Sequence, residues 1–210
     1  MHVFGLTGGL ASGKSVVAAR FSARGLPVVD ADQLARDVVR PGSEGLAAVL
    51  QEFGADLVDD SGGLDRKRLG ARVFADPALR KRLESITHPR IQALLRERTR
   101  ALAALGEPLA CYEVPLLVEV GLTEKLRPVV VVSADEGAQI ERAARRDGIS
   151  ADDARARIAA QLPLAQKLAV ADYVIDNTGS LSDTLAQADR VLDAICRSRG
   201  VPPERYPPPT

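Results

Sequence analysis

The sequence predicts an α/β fold, a three-layer α/β/α sandwich around a mostly or wholly parallel five-stranded sheet. Three observations carry that reading. Short apolar runs bounded by turn residues recur at His2–Leu6, Val28–Val29, Pro108–Tyr112, Pro128–Val132 and Tyr173–Asp176, and read as strands. Segments with apolar positions at helical spacing separate them. The third observation is a glycine-rich stretch, Gly8-Gly9-Leu10-Ala11-Ser12-Gly13-Lys14-Ser15, between the first strand and the first helix.

That stretch fits G-x-x-x-x-G-K-[ST], the phosphate-binding loop, and places the fold in the P-loop NTPase type. Gly8 and Gly13 let the backbone turn so that successive N–H groups face phosphate oxygens. The helix that follows adds the positive end of its dipole. Lys14 brings a mobile ammonium to the β- and γ-phosphates, and the Ser15 hydroxyl is a candidate Mg²⁺ ligand. A glycine-rich turn that matches by accident is the alternative, but the strand–loop–helix setting argues against it. The chain is expected to bind a nucleoside triphosphate.

Bulk properties exclude several partners. Lys plus Arg equal Asp plus Glu at 28 each, so neither nucleic acid nor a membrane surface is favoured. With no Trp, four Phe and three Tyr, a track for stacking successive bases is not expected. Cys111 and Cys196 are far apart without metal spacing, as suits a reducing cytoplasmic setting. No signal peptide or membrane span is expected. A monomer or weak homo-oligomer is the expected state.

The elements follow in order. A helix from Ser15 to Arg24 leads through Gly25-Leu26-Pro27 to Val28-Val29-Asp30-Ala31-Asp32. Its carboxylates come at the C-terminal edge of a strand, where open α/β sheets place ligands. Asp30 and Asp32 face one side if the strand persists; alternatively Asp32 only caps a helix over Gln33–Val39. Residues 33–105 read as a helical insertion, with helices over Ser43–Phe53, Asp65–Phe74, Pro77–Thr87 and after Pro89, a natural place for a second substrate. Glu113 closes the third strand like a metal-holding Walker B carboxylate, although many strands end in Glu for solubility. After Pro128–Val132, a helix over Asp135–Asp147 carries Arg142, Arg145 and Arg146, and another from Ser150 carries Arg155, Arg157 and Gln161. These arginines are either a solvated surface, with pairs such as Asp153 and Arg157, or a lid. Leu181–Arg197 is an amphipathic helix. The proline-rich residues 200–210 are expected to be a disordered tail.

A guanine-reading N-K-x-D element is missing, as is the basic or aromatic track of a nucleic-acid motor. A small-molecule kinase remains, with a nucleotide-binding regulatory module as the alternative from another class. The sequence also resembles the dephospho-CoA kinase family from Leu6 to Gly179. The resemblance is carried by the phosphate loop, Val29-Asp30-Ala31-Asp32, His88-Pro89, Val114-Pro115-Leu116-Leu117-Val118-Glu119, Gln139-Ile140-Glu141-Arg142, Arg146-Asp147, Arg157 with Gln161, and Ala171-Asp172-Tyr173-Val174-Ile175-Asp176-Asn177.

It implies ATP-dependent phosphorylation of the ribose 3′-hydroxyl of dephospho-CoA with Mg²⁺. It further implies Asp32 as catalytic base, and Gly8 to Val16 with Arg142 and Asn177 at the nucleotide. Asp32, His88, Pro89 and Leu116 would lie at the acceptor, and Ser15 and Glu113 at the metal. The nucleotide core comprises residues 1–32, 106–136 and 164–199, the CoA-substrate domain 33–105, and the lid 137–163 with Arg146 and Arg157. Val16 stands where the family often has Thr, and Glu113 where many members have Asp. His88 also has a plain reading as a helix-boundary residue beside Pro89. A kinase of the same architecture acting on another nucleoside or small hydroxylated metabolite is the nearest alternative.

Overall fold

The computed structural model describes residues 1–74 and 76–209; Thr210 of the expected tail lies outside them. In chain order the elements are β1 (His2–Gly8), α1 (Lys14–Ala23), β2 (Val28–Asp30), α2 (Ala31–Val38), α3 (Glu44–Phe53), α4 (Arg66–Phe74) and α5 (Pro77–Ala104). Then come β3 (Leu109–Glu113), β4 (Val129–Ser133), α6 (Glu136–Asp147), α7 (Ala151–Ala159), α8 (Leu164–Ala169), β5 (Tyr173–Asp176) and α9 (Leu181–Ser198). The chain divides into two compact units, residues 1–30 with 105 onward, and residues 31–104.

The first unit is built on a five-stranded sheet of order β2-β3-β1-β4-β5, parallel at every pairing. The unbroken Val129–Val132 run predicts a strand covered on both faces. All four valines are fully buried. Val130 and Val132 join Phe4, Leu6, Phe21, Leu192 and Ile195 in the core under α1 and α9, while α8 packs against β4. The register pairs Glu113 with both Leu6 and Asp30, Gly8 with Val132, and Ser133 with Asp176. The C-terminal ends of all five strands therefore share one edge.

The second unit is helical. Val38, Leu46, Val49, Phe53, Leu57 and Leu69 form its core, with Leu83, Ile86, Ile91 and Leu94 of α5 packed against it. The predicted break at Pro89 does not occur: α5 is a single 28-residue helix with Pro89 inside it. A proline in that position removes one backbone donor and crowds the preceding turn. Packing on both sides outweighs the loss, and Arg90 Nη1 donates to the Ile86 carbonyl at 2.7 Å. The short helix α8 was not anticipated either.

The C-terminal residues also depart from expectation. The segment is docked as far as Tyr206 rather than disordered, with Val201 buried and Tyr206 only 1% exposed, while Pro207, Pro208 and Pro209 are exposed. The buried Arg24 donates through Nε to the Tyr206 carbonyl at 2.8 Å and through Nη2 to Asp193 at 2.5 Å. Prolines stiffen this segment, which lowers the entropy lost on docking. Arg24→Met is expected to destabilise the protein by about 2–3 kcal/mol, because a buried carbonyl and a carboxylate lose their donors. Urea unfolding followed by circular dichroism measures it; an unchanged midpoint would contradict the anchor. Among the described residues no helix is long and apolar enough to cross a membrane.

Candidate active site

The site begins where β1 ends and α1 starts. Gly13 occupies the N-cap of α1 with φ 97°, and α1 has no side-chain cap. A Cβ on Gly13 would come within 2.1 Å of Asn177 Nδ2, so only glycine fits. Gly9 is constrained by approach as well: a Cβ there would lie 2.6 Å from Gln139 Oε1. Ala11 takes φ 52°, a left-handed conformation that costs a residue with a Cβ about 1–2 kcal/mol. Lys14 Nζ donates to the carbonyls of Gly8 and Gly9, each at 3.1 Å. Its charge is thus folded back over the loop it is expected to serve.

Asn177, next after β5, joins this loop. Its Nδ2 donates to the Ser12 carbonyl at 2.8 Å, and its Oδ1 accepts from Thr184 Oγ1 at 2.8 Å. Arg142 of α6 reaches the Asn177 carbonyl through Nη2 at 3.4 Å. Buried without a hydrogen-bond partner are Arg142 Nη1 and Ser12 Oγ. Orphaned polar groups of this kind are rare in native proteins. Here a cationic donor and a hydroxyl lie around an amide-lined turn, an arrangement suited to an anionic, acceptor-rich ligand.

Glu113 closes β3, half-buried, with Asp30 and Leu6 as its strand neighbours. Ser15 is exposed in the first turn of α1. Hydroxyl and carboxylate oxygens are the hard donors that Mg²⁺ prefers, and that ion commonly takes only one or two protein ligands beside phosphate. Among the described residues no cluster of three or more His, Cys, Asp or Glu could hold a metal by itself. Leu116 follows in the next turn, exposed, while Leu117 is fully buried. The expected lid arginines both turn to one carboxylate: Arg146 Nε lies 2.7 Å from Asp147 and Arg157 Nη1 3.3 Å. The pairing of Arg157 with Asp153 is therefore replaced by one with Asp147, whose carboxyl those arginines hold below its usual range.

The remaining candidates lie in the helical unit. Asp32 is exposed in the first turn of α2. The helix starts at Ala31, directly after β2, so the strand does not continue past Asp30 and Asp32 does not precede the helix as its cap. A carboxylate there is still favoured by the helix dipole. Arg66 of α4 reaches the Ala35 carbonyl through Nη2 at 3.4 Å. Partial burial, then Arg36, lower its pKa against the attraction of Asp32. Nothing in the arginine-rich stretch around it singled Arg66 out. Gln139 against Gly9 was likewise missed. His88 and Pro89 are exposed in the middle of α5, not at a helix boundary.

A family model described as dephospho-CoA kinase matches residues 2–183. The chain belongs to the dephospho-CoA kinase family. A dephospho-CoA kinase of Anaeromyxobacter dehalogenans is 53% identical over 98% of this chain and 100% of its own length. One from Syntrophotalea carbinolica is 47% identical over 94% of this chain and 92% of its own. Among solved structures, the dephospho-CoA kinase from Campylobacter jejuni has a TM-score of 0.70 at 29% identity, covering 93% of this chain and 98% of that one. A shikimate kinase from Acinetobacter baumannii shares the fold, with a TM-score of 0.52 at 16% identity. The family match spans the phosphate loop, Asp32, His88, Arg142 and Asn177, and ends before the docked C-terminal residues.

Proposed function

We propose that this protein transfers the γ-phosphate of ATP to the ribose 3′-hydroxyl of dephospho-CoA, giving coenzyme A and ADP, in the cytoplasm. The observation that supports it most is the pairing of a phosphate loop with two buried, partnerless polar groups beside it, Ser12 Oγ and Arg142 Nη1, in a chain of this family. Gly8 to Val16, Arg142 and Asn177 take the nucleotide. Lys14 moves from the Gly8 and Gly9 carbonyls to the β- and γ-phosphates. Ser15 and Glu113 would hold Mg²⁺, which when bound neutralises charge on the phosphate oxygens.

Asp32 orients the acceptor hydroxyl and takes its proton as the oxygen attacks phosphorus. His88, Pro89 and Leu116 bind the rest of the acceptor. The transferred phosphoryl group needs little covalent help, so placement and charge stabilisation carry the rate. Residues 137–163 form the lid. Arg146 and Arg157 exchange Asp147 for phosphate when it closes, and closure excludes water that would otherwise hydrolyse ATP.

The test is ADP release with ATP and Mg²⁺ against dephospho-CoA, a nucleoside panel, shikimate and no acceptor. Release stimulated by dephospho-CoA alone is the expected result. Stimulation by another hydroxylated metabolite would select a different kinase, and no acceptor-dependent release would indicate a regulatory nucleotide-binding module.

A further inference from the structure

The phosphate loop holds a single non-glycine residue, Ala11, in the left-handed region among the described residues. Such a conformation persists where neighbouring contacts over-determine the backbone. Both flanks of Ala11 are gripped by carboxamides from distant segments. The Leu10 N–H donates to Gln161 Oε1 at 3.1 Å, and Asn177 Nδ2 donates to the Ser12 carbonyl at 2.8 Å. Asn177 is fixed by Thr184 and by its own N–H to the Ser133 carbonyl at 2.8 Å. Gln161 lies in the connection between α7 and α8, and what holds that connection is a buried ion pair.

There the Leu162 N–H donates to Glu119 Oε1 at 3.2 Å, and Lys167 Nζ donates to the same oxygen at 2.5 Å. The Lys167 side chain is 1% exposed and that of Glu119 17%. Burial pushes the Glu119 carboxyl up, but the Lys167 and Leu162 hydrogen bonds and the ammonium charge outweigh it and hold it below its usual range.

We propose that Glu119 is a positioning residue for the nucleotide site: by holding the Leu162 N–H it seats Gln161 on the Leu10 N–H and so presets the left-handed turn at Ala11 before a triphosphate arrives. The inference rests on the nucleotide-binding reading of the loop. Gln161 offers the loop donor an acceptor, as a phosphate oxygen would. A loop shaped in advance loses less freedom on binding and holds its ligand more tightly. The effect of Glu119 travels through Gln161.

The experiment measures ATP affinity of the full chain by calorimetry, beside steady-state kinetics. Gln161→Ala is expected to weaken ATP binding about 10-fold, the loss of one well-placed hydrogen bond. Removing Glu119 alone would strand a buried ammonium, so Glu119→Met is combined with Lys167→Met, an apolar replacement that buried pairs tolerate. This double variant is expected to match Gln161→Ala in affinity, with kcat within about threefold, and adding Gln161→Ala to it is expected to weaken binding no further. Glu119→Gln combined with Lys167→Met, which still accepts from Leu162 without stranding an ammonium, is expected to retain most of the affinity. Wild-type affinity in the double variant, or losses that multiply when the changes are combined, would overturn the proposal. A wild-type chain that binds no ATP would overturn the nucleotide reading itself, and this inference with it.

Discussion

Lys14→Ala is expected to lower phosphoryl transfer about 10²–10³-fold or more, the magnitude associated with losing one charge-stabilising donor at a transferring group. That corresponds to roughly 2.7–4 kcal/mol of transition-state stabilisation. The fold should survive, because the hydrogen bonds of Lys14 Nζ run to the carbonyls of its own loop at Gly8 and Gly9. No strand pairing depends on them. Initial rates with ATP and dephospho-CoA, taken beside a thermal melt, separate the two effects. Lys14→Arg should not rescue the rate, since a planar guanidinium cannot take the place of a compact ammonium between phosphates. Turnover near that of the unaltered protein would remove the phosphate-clamp role.

Asp32→Asn is expected to reduce kcat about 10²–10⁴-fold, the usual weight of a general base, while the KM for ATP stays within a few-fold. The structure sharpens the contrast with a purely stabilising role. Asp32 is exposed in the first turn of α2, where its charge contributes about 0.3–1 kcal/mol through the helix dipole. Asparagine keeps the shape of the side chain but loses its charge, and with it the helix-dipole contribution and the attraction to Arg66, so a large drop in unfolding free energy would favour a structural role over a catalytic one. Steady-state kinetics and urea unfolding on one preparation decide between them.

The phosphate loop was readable because its chemistry is compressed into eight consecutive residues, Gly8 to Ser15. The strands were readable because burial on both faces demands unbroken apolar runs, as at Val129–Val132. Contacts formed at long range were less visible. A single glutamine such as Gln161 carries no pattern showing that its carboxamide meets Leu10, 151 positions earlier. At Pro89 a strong local rule pointed to two helices, and packing of Ile86 and Ile91 into one core overrode it. Proline content around Tyr206 likewise suggested disorder, where one buried aromatic and the Arg24 guanidinium supply the anchorage. Helix α2 begins at Ala31, ahead of the Gln33 start that the sequence suggested, because propensity does not fix a helix start to the residue.

The strand order has a consequence for biosynthesis. β1 hydrogen-bonds to β3 and β4, and among the described residues β2 hydrogen-bonds to β3 alone. The strands of residues 1–30 do not pair with each other and must wait for β3 and β4, made well after them, whereas the helical block of residues 31–104 closes its own core from neighbouring segments. Translation halted at Ala104 would therefore release a nascent chain whose nucleotide grip has no sheet to stand on, with β1 exposed to whatever chaperone meets it first.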